Sequence, residues 1–143
     1  MDNPTPSRRD RGVSVYANIL GAPEEDTPRL FGELVGATFA EEVFEAGGGA
    51  AWQHPALTPR DRSIAIITAL VCQGVTDKRL RAHIRLGRQA ELDEEALIVL
   101  TLLLASYAGY PRASIAAEII RDEFAIIDRD DTPTSADANF RDR

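Results

Sequence analysis

Helix start and stop signals recur along most of this chain, and almost no segment shows the alternation typical of a β-strand. The clearest signal begins at Thr58, a suitable N-cap residue, with Pro59 in the first turn and Asp61 placed to complete a capping box. A mostly apolar run, 63–71, follows. These signals predict a helix over 59–73 that is apolar on nearly all sides and therefore lies centrally in the fold.

The same signals predict four further helices. They are expected over residues 28–45, 78–89, 94–107 and 111–127. Five helices joined by short loops indicate an all-α fold, a helical bundle. The two ends of the chain, 1–12 and 129–143, are charged and contain proline, so we expect flexible tails on either side of one helical domain over 13–128.

Two of the predicted helices, 59–73 and 94–107, carry more apolar surface than one chain of this size can easily cover. Apolar surface left over after folding is most simply buried against another subunit. The sequence therefore predicts a symmetric homo-oligomer.

The composition removes several classes of function. With 16 Lys and Arg against 23 Asp and Glu, the net charge is −7, which argues against nucleic acid as a partner. Cys72 is the single cysteine, so an intrachain disulfide and a cysteine-based zinc site are both excluded. Since the chain also has only 2 histidines, no metal site is expected. We expect Cys72 to pack in the core, because no base stands near it in sequence to lower its pKa.

No membrane or export segment is evident. The first twelve residues are polar, and no apolar stretch follows them as a secretory signal would require. The longest apolar stretch, 96–105, falls well short of the roughly 18 apolar residues of a membrane-spanning helix. The sequence thus predicts a cytoplasmic protein with no membrane partner.

His83 is the first candidate for chemistry. It borders the apolar stripe formed by Leu80 and Ile84 on its predicted helix. A half-buried imidazole there can give or take a proton in a pocket. A histidine that is simply satisfied by a carbonyl or an acid at a helix contact fits the same pattern.

Arginines supply candidates for binding an anionic substrate, because a guanidinium matches a carboxylate. Arg60 and Arg62 open the central helix, and four more arginines follow on the helix of His83. A run of this kind is more often a solvated helix face. Arg62, next to the apolar run, is the one we expect to be buried and paired.

Loop and corner residues could also line a pocket. Trp52 and His54 lie in the loop before the central helix, where roles in loop structure are equally open. Tyr107 and Tyr110 bracket Gly109 at a corner between two helices. Tyrosines at such corners commonly pack and donate one hydrogen bond, although corners also form the floor of pockets.

Three stretches together resemble the carboxymuconolactone decarboxylase family, which shares its fold with the alkylhydroperoxidase D proteins. They are Trp52-x-x-Pro55-x-Leu57-Thr58-x-Arg60-Asp61-Arg62-Ser63, Leu80-x-x-His83-Ile84 and Tyr107-Ala108-Gly109-Tyr110-Pro111-x-Ala113. The resemblance covers about residues 28–125. It implies an all-helical fold and a homo-oligomer, often a trimer or hexamer, with active sites between subunits.

The decarboxylase branch of the family further implies acid–base chemistry without a cofactor on a small cyclic lactone acid. Loss of carbon dioxide leaves a dienolate-like anion, which an acid then reprotonates. On this chain the resemblance makes His83 the proton donor or electrostatic stabiliser, with Arg60 or Arg62 holding a carboxylate. Stabilisation of the developing anion by preorganised positive groups would account for most of the rate acceleration.

The peroxidase branch carries a Cys-x-x-Cys pair shortly before the matching histidine. Thr76 and Arg79 stand at those two positions here, and Cys72 does not replace the pair. The resemblance therefore argues against a thiol peroxidase.

Other departures concern the substrate. Val99 stands where the decarboxylase branch usually has a second acid, Leu103 replaces a more polar residue, and His54 occupies a place where the family often has arginine. A pocket with this apolar wall fits a cyclase or isomerase acting on a larger or less charged metabolite equally well. A non-catalytic helical oligomer that binds a small molecule is the third hypothesis.

Overall fold

The computed structural model describes residues 4–131, and these residues are helical with no β-strand, as predicted. The helices are α1 (Arg8–Leu20), α2 (Thr27–Val35), α3 (Ala37–Gly47), α4 (Pro59–Gln73), α5 (Lys78–Gln89), α6 (Glu94–Ala108) and α7 (Tyr110–Asp130), with a short 3₁₀ helix at Ala50–Trp52. Three of the predicted helices, now α4, α5 and α6, have nearly the bounds that their caps indicated. No helix in the described range is both long enough and apolar enough to span a bilayer.

The first helix begins inside the span predicted as an N-terminal tail. The Ser7 side chain accepts a hydrogen bond from the backbone N–H of Asp10 at 3.1 Å, and the Asp10 carboxylate accepts from the backbone N–H of Ser7 at 3.2 Å. This capping box starts α1 among charged residues that sequence composition alone assigned to a tail. The ends of the two predicted tails, 1–3 and 132–143, lie outside the described residues.

The single helix predicted over 28–45 is two helices. They are separated at Gly36, whose φ of 89° lies in a region that side-chain-bearing residues rarely adopt. The Gly36 N–H closes α2 by donating to the Gly32 carbonyl at 2.8 Å, and its own carbonyl accepts the first bond of α3 from Ala40 at 3.0 Å. The broad apolar face seen in the sequence therefore belongs to two short helices.

The chain divides into two compact units, Met1–Arg62 and Ser63–Arg143, with the boundary inside α4. In the first unit, α3 packs against α1 and α2. Its core centres on Val13, Ala40 and Phe44. The Tyr16 ring lies 4.9 Å from the Phe31 ring and 5.9 Å from the Phe44 ring, centroid to centroid, so an aromatic cluster closes this core.

In the second unit, α7 packs against both α5 and α6. Apolar side chains from the C-terminal part of α4 and from the three later helices form its core, namely Ile67, Val71, Leu80, Ile84, Leu92, Leu97, Leu104, Ala116, Ile120 and Phe124. Ile67 and Val71 of α4 thus meet buried side chains of α5, α6 and α7. Only one face of α4 is buried, so the prediction of a helix buried on nearly all sides is not confirmed.

Candidate functional site

Helix α5 positions His83. The Asp77 side chain caps the helix by accepting a hydrogen bond from the Arg79 backbone N–H at 2.9 Å. Leu80, Ile84 and Gly87, spaced by four and three residues, are buried and fix which face of α5 meets the core. His83 follows Leu80 by three residues, which places it on one flank of that buried face.

The His83 imidazole is half-buried and makes no hydrogen bond to any residue that the structure describes. A structural histidine, held by a carbonyl or an acid, would show such a bond, and none is present among the described residues. Burial lowers the pKa of His83 below its ordinary value of 6.5, because desolvation disfavours the charged imidazolium. The side chain is therefore mainly neutral at neutral pH, with a ring nitrogen able to accept a proton.

Arginines on the other flank of α5 are engaged by carboxylates. Arg81 donates to Glu123 at 2.9 Å, and Arg85 donates to the same carboxylate at 2.5 Å. Glu123 is fully buried on α7, so two charged hydrogen bonds compensate the loss of its hydration. Arg88 pairs with Asp131 at 2.6 Å. With 100° of rotation per residue, these arginines and His83 lie on opposite flanks of the buried stripe, so the arginines hold α5 against α7.

Four predicted site residues belong to the first unit. Trp52 is half-buried in the short 3₁₀ helix. His54 is exposed, and its Nδ1 accepts a hydrogen bond from the Ala56 backbone N–H at 3.2 Å, which is a role in loop structure. Arg60 is exposed in the first turn of α4. Arg62 is half-buried, less than predicted, and donates a hydrogen bond to the Leu57 backbone carbonyl at 2.5 Å.

The remaining predicted site residues lie on the surface of the second unit. Val99 and Leu103 are 55% and 63% exposed on the outer face of α6, opposite the buried Leu97. Tyr107 at the end of α6 and Tyr110 at the start of α7 are 86% and 69% exposed. The corner between the helices is therefore open, and these four residues could enclose a ligand only if a further surface covered them.

Cys72 packs against the hydrophobic core of the second unit, in agreement with the expectation from sequence. The thiol is half-buried near the end of α4. The Cys72 backbone carbonyl accepts a hydrogen bond from the Arg112 guanidinium of α7. This bond joins the C-terminal end of α4 to the first turn of α7.

A cleft of about 390 Å³ opens beside this bond. It is lined by the end of α4, the turn before α5 and the first turns of α7, through Val71, Gln73, Gly74, Val75, Thr76, Arg112, Ile115 and Ala116. The cleft and the role of its polar residues were not predicted from the sequence. The available signal was the Gly74 turn, whose φ of 73° shapes the wall, and the arginine that directly follows Pro111. Within the described range, no group of three or more His, Cys, Asp or Glu side chains could hold a metal ion.

The sequence profile of the Carboxymuconolactone decarboxylase family matches residues 37–122, well over half of the chain. The chain belongs to this family. The match includes α3 to α6 and most of α7, and with them both His83 and the Tyr107–Tyr110 corner. Searches of curated proteins and of solved structures find no match.

Proposed function

We propose that this member of the carboxymuconolactone decarboxylase family is an enzyme that transfers protons on a small cyclic metabolite without a cofactor. The observation that carries the proposal is the half-buried His83 imidazole, which has no hydrogen-bond partner in the described residues. A satisfied structural histidine would use its ring nitrogens on neighbouring residues, whereas those of His83 are not fully buried and are open to a ligand as well as to water. Membership of the family supports a related chemistry in a broad sense.

Decarboxylation of a small carboxylated lactone, or of a related cyclic metabolite, is the first candidate reaction. The bond between the ring carbon and the carboxylate breaks, carbon dioxide leaves, and the electron pair spreads over the ring as a dienolate. The carbon then takes up one proton, which His83 would donate as an imidazolium. Because a bound anion favours the charged form of a neighbouring imidazole, substrate binding would raise the pKa of His83 toward the value this step needs.

Isomerisation or cyclisation of a more hydrophobic metabolite is the second candidate. The lowered pKa of His83 favours it, since a neutral imidazole is ready to accept a proton from a carbon next to a carbonyl group. Arg81, Arg85 and Arg88 are engaged by carboxylates, which also fits a less charged substrate. Here His83 would remove the proton from one carbon and return it to another.

Assaying purified protein on carboxymuconolactone tests the first candidate. We expect release of carbon dioxide, and His83→Ala should lower kcat/KM by about 100-fold or more, the usual contribution of a positioned acid or base. Gln89→Ala, an exposed change at the end of the same helix, serves as the control and should leave kcat/KM unchanged. No turnover by the wild type would contradict decarboxylation of this substrate, and full activity of His83→Ala would contradict the role of His83.

The pH dependence of kcat/KM separates the two candidates, because it follows the protonation of the free enzyme. If His83 acts as the acid, kcat/KM falls as the pH rises through the lowered pKa. If His83 acts as the base, kcat/KM rises through the same interval and then levels off. A kcat/KM profile with neither limb, unchanged in His83→Ala, would contradict proton transfer by His83 in either candidate reaction.

A further inference from the structure

The cleft beside Arg112 has the size and composition of a small-molecule site. Its volume of about 390 Å³ falls in the range usual for ligand pockets. Val71, Ile115 and Ala116 give it an apolar wall. Gln73 and Thr76 stand on its polar side, and neither side chain makes a hydrogen bond to another described residue.

Arg112 gives the cleft its charge. It is the one charged side chain among the described residues of the lining, and it forms no ion pair with any carboxylate in the described part of the chain. Its Nη1 donates to the Cys72 carbonyl, which anchors the guanidinium at the end of α4. A guanidinium has five N–H donors, so this anchor leaves donors for a ligand.

Arg112 is exposed, and its guanidinium lies beside the Gly74 turn, where an added Cβ would be at an ordinary van der Waals distance of 3.8 Å from Nε and Cζ. Its anchor is the hydrogen bond to the Cys72 carbonyl. With this bond already made, the guanidinium loses less freedom when a ligand binds than a freely rotating arginine would.

We propose that this cleft binds a small monocarboxylate with an apolar body. One guanidinium matches one carboxylate, and the lining has no second cation for a more highly charged anion such as a phosphate. The apolar wall of Val71, Ile115 and Ala116 accommodates the rest of the molecule. His83 does not line the cleft, so this site goes beyond the proton-transfer function proposed for His83 and does not depend on it.

Titration of the protein with benzoate, followed by NMR or calorimetry, tests the proposal. Benzamide is the matched neutral ligand, and inorganic phosphate tests for a general anion site. We expect saturable binding of benzoate, with benzamide and phosphate each at least about tenfold weaker, because the charged hydrogen bond is lost in one and the apolar contact in the other. Absence of benzoate binding, or equal binding of benzamide or phosphate, would overturn the proposal.

Variants locate the site. Arg112→Gln should lower the affinity for benzoate at least about tenfold. Arg129→Gln, the same change of charge near the other end of α7, should leave the affinity unchanged. Ile115→Glu should weaken benzoate binding more than Ile115→Gln, because the two side chains differ only in charge and the added carboxylate repels that of benzoate. Since Ile115 is 46% exposed, both substitutions should leave the fold intact. His83→Ala should bind benzoate as the wild type does. Unchanged binding in both Arg112→Gln and Ile115→Glu would place the ligand elsewhere and contradict the inference.

Discussion

At the scale of single residues, the two flanks of α5 differ in whether a buried titratable group has a charged partner. Glu123 is fully buried, yet Arg81 and Arg85 both donate to its carboxylate, so its charge is compensated. His83 is half-buried and has no such partner among the described residues. The buried carboxylate therefore has two guanidinium partners, whereas desolvation alone acts on the imidazole and lowers its pKa.

This contrast makes His83 a source of acid sensitivity. Burial lowers its folded-state pKa below 6.5, so between that lower pKa and 6.5 the unfolded chain binds a proton more readily than the folded chain. The free energy of unfolding therefore decreases as the pH is lowered through this interval. Above the interval both states carry a neutral imidazole, and His83 contributes no pH dependence.

His83→Gln removes this titration while keeping a polar side chain of similar size. We expect the wild type to lose more stability than His83→Gln when the pH is lowered from about 7.5 to about 5, because only the wild type must keep an imidazole uncharged in the folded state. Urea denaturation at both pH values measures the difference. Parallel losses in the two proteins would show that burial of His83 does not control its protonation.

At the scale of helices, the contact between α1 and α3 depends on glycine. A Cβ atom added to Gly12 would lie 1.7 Å from the Phe44 carbonyl oxygen, and one added to Gly48 would lie 1.6 Å from the Arg8 carbonyl oxygen. Backbone atoms cannot swing aside as the end of a long side chain can. The two helices therefore approach as closely as they do only because both positions lack a side chain.

Gly12→Ala should therefore destabilise the protein by about 1–3 kcal/mol or more, since the added methyl group forces α1 away from α3. Gly32→Ala is the matched control in α2, where the added Cβ meets nothing closer than 3.8 Å. There the change should stabilise by about 0.5–1 kcal/mol, the ordinary gain of alanine over glycine within a helix. Chemical denaturation of both variants decides the point. A similar effect of the two substitutions would contradict the close-approach argument.

The elements that sequence predicted well are those whose signals are local. Thr58, Asp77 and Asp93 cap α4, α5 and α6 with their own side chains, and such caps are legible in the sequence. Ser7 is a local signal of the same kind at the start of α1. It was missed because the charged residues around it have the composition of a flexible tail. The break at Gly36 could not be predicted, because a glycine within an apolar helical pattern is usually tolerated.

The candidate site was predictable only in part, for a related reason. Periodicity places His83 at the edge of a buried stripe, and this determines its half-burial. Pairing across helices is not visible in a single sequence, so neither the link of Arg81 and Arg85 to Glu123 nor the contact of Arg112 with Cys72 could be predicted. The cleft beside Arg112 depends on that last contact and was missed with it.

At the scale of the whole molecule, the outer face of α6 stands out. Val99, Leu102, Leu103 and Tyr107 on this helix, with Tyr110 directly after it, are all more than half exposed. From Ala96 to Tyr110 the chain has no charged residue, so this stretch of α6 lacks the charges that usually keep a helix face in water. We propose that a second copy of the chain covers it. An uncharged apolar face is complementary to itself, as a two-fold interface requires.

Leu103→Glu tests this arrangement, because burying a carboxylate on each side of a two-fold interface costs far more than the same change on a free surface. We expect the wild type to sediment at a multiple of the chain mass and Leu103→Glu to sediment at a lower multiple or as a single chain. Leu103→Met keeps the face apolar and should retain the wild-type mass. A monomeric wild type, or an assembly that Leu103→Glu leaves intact, would mean that this face of α6 is not an interface between copies.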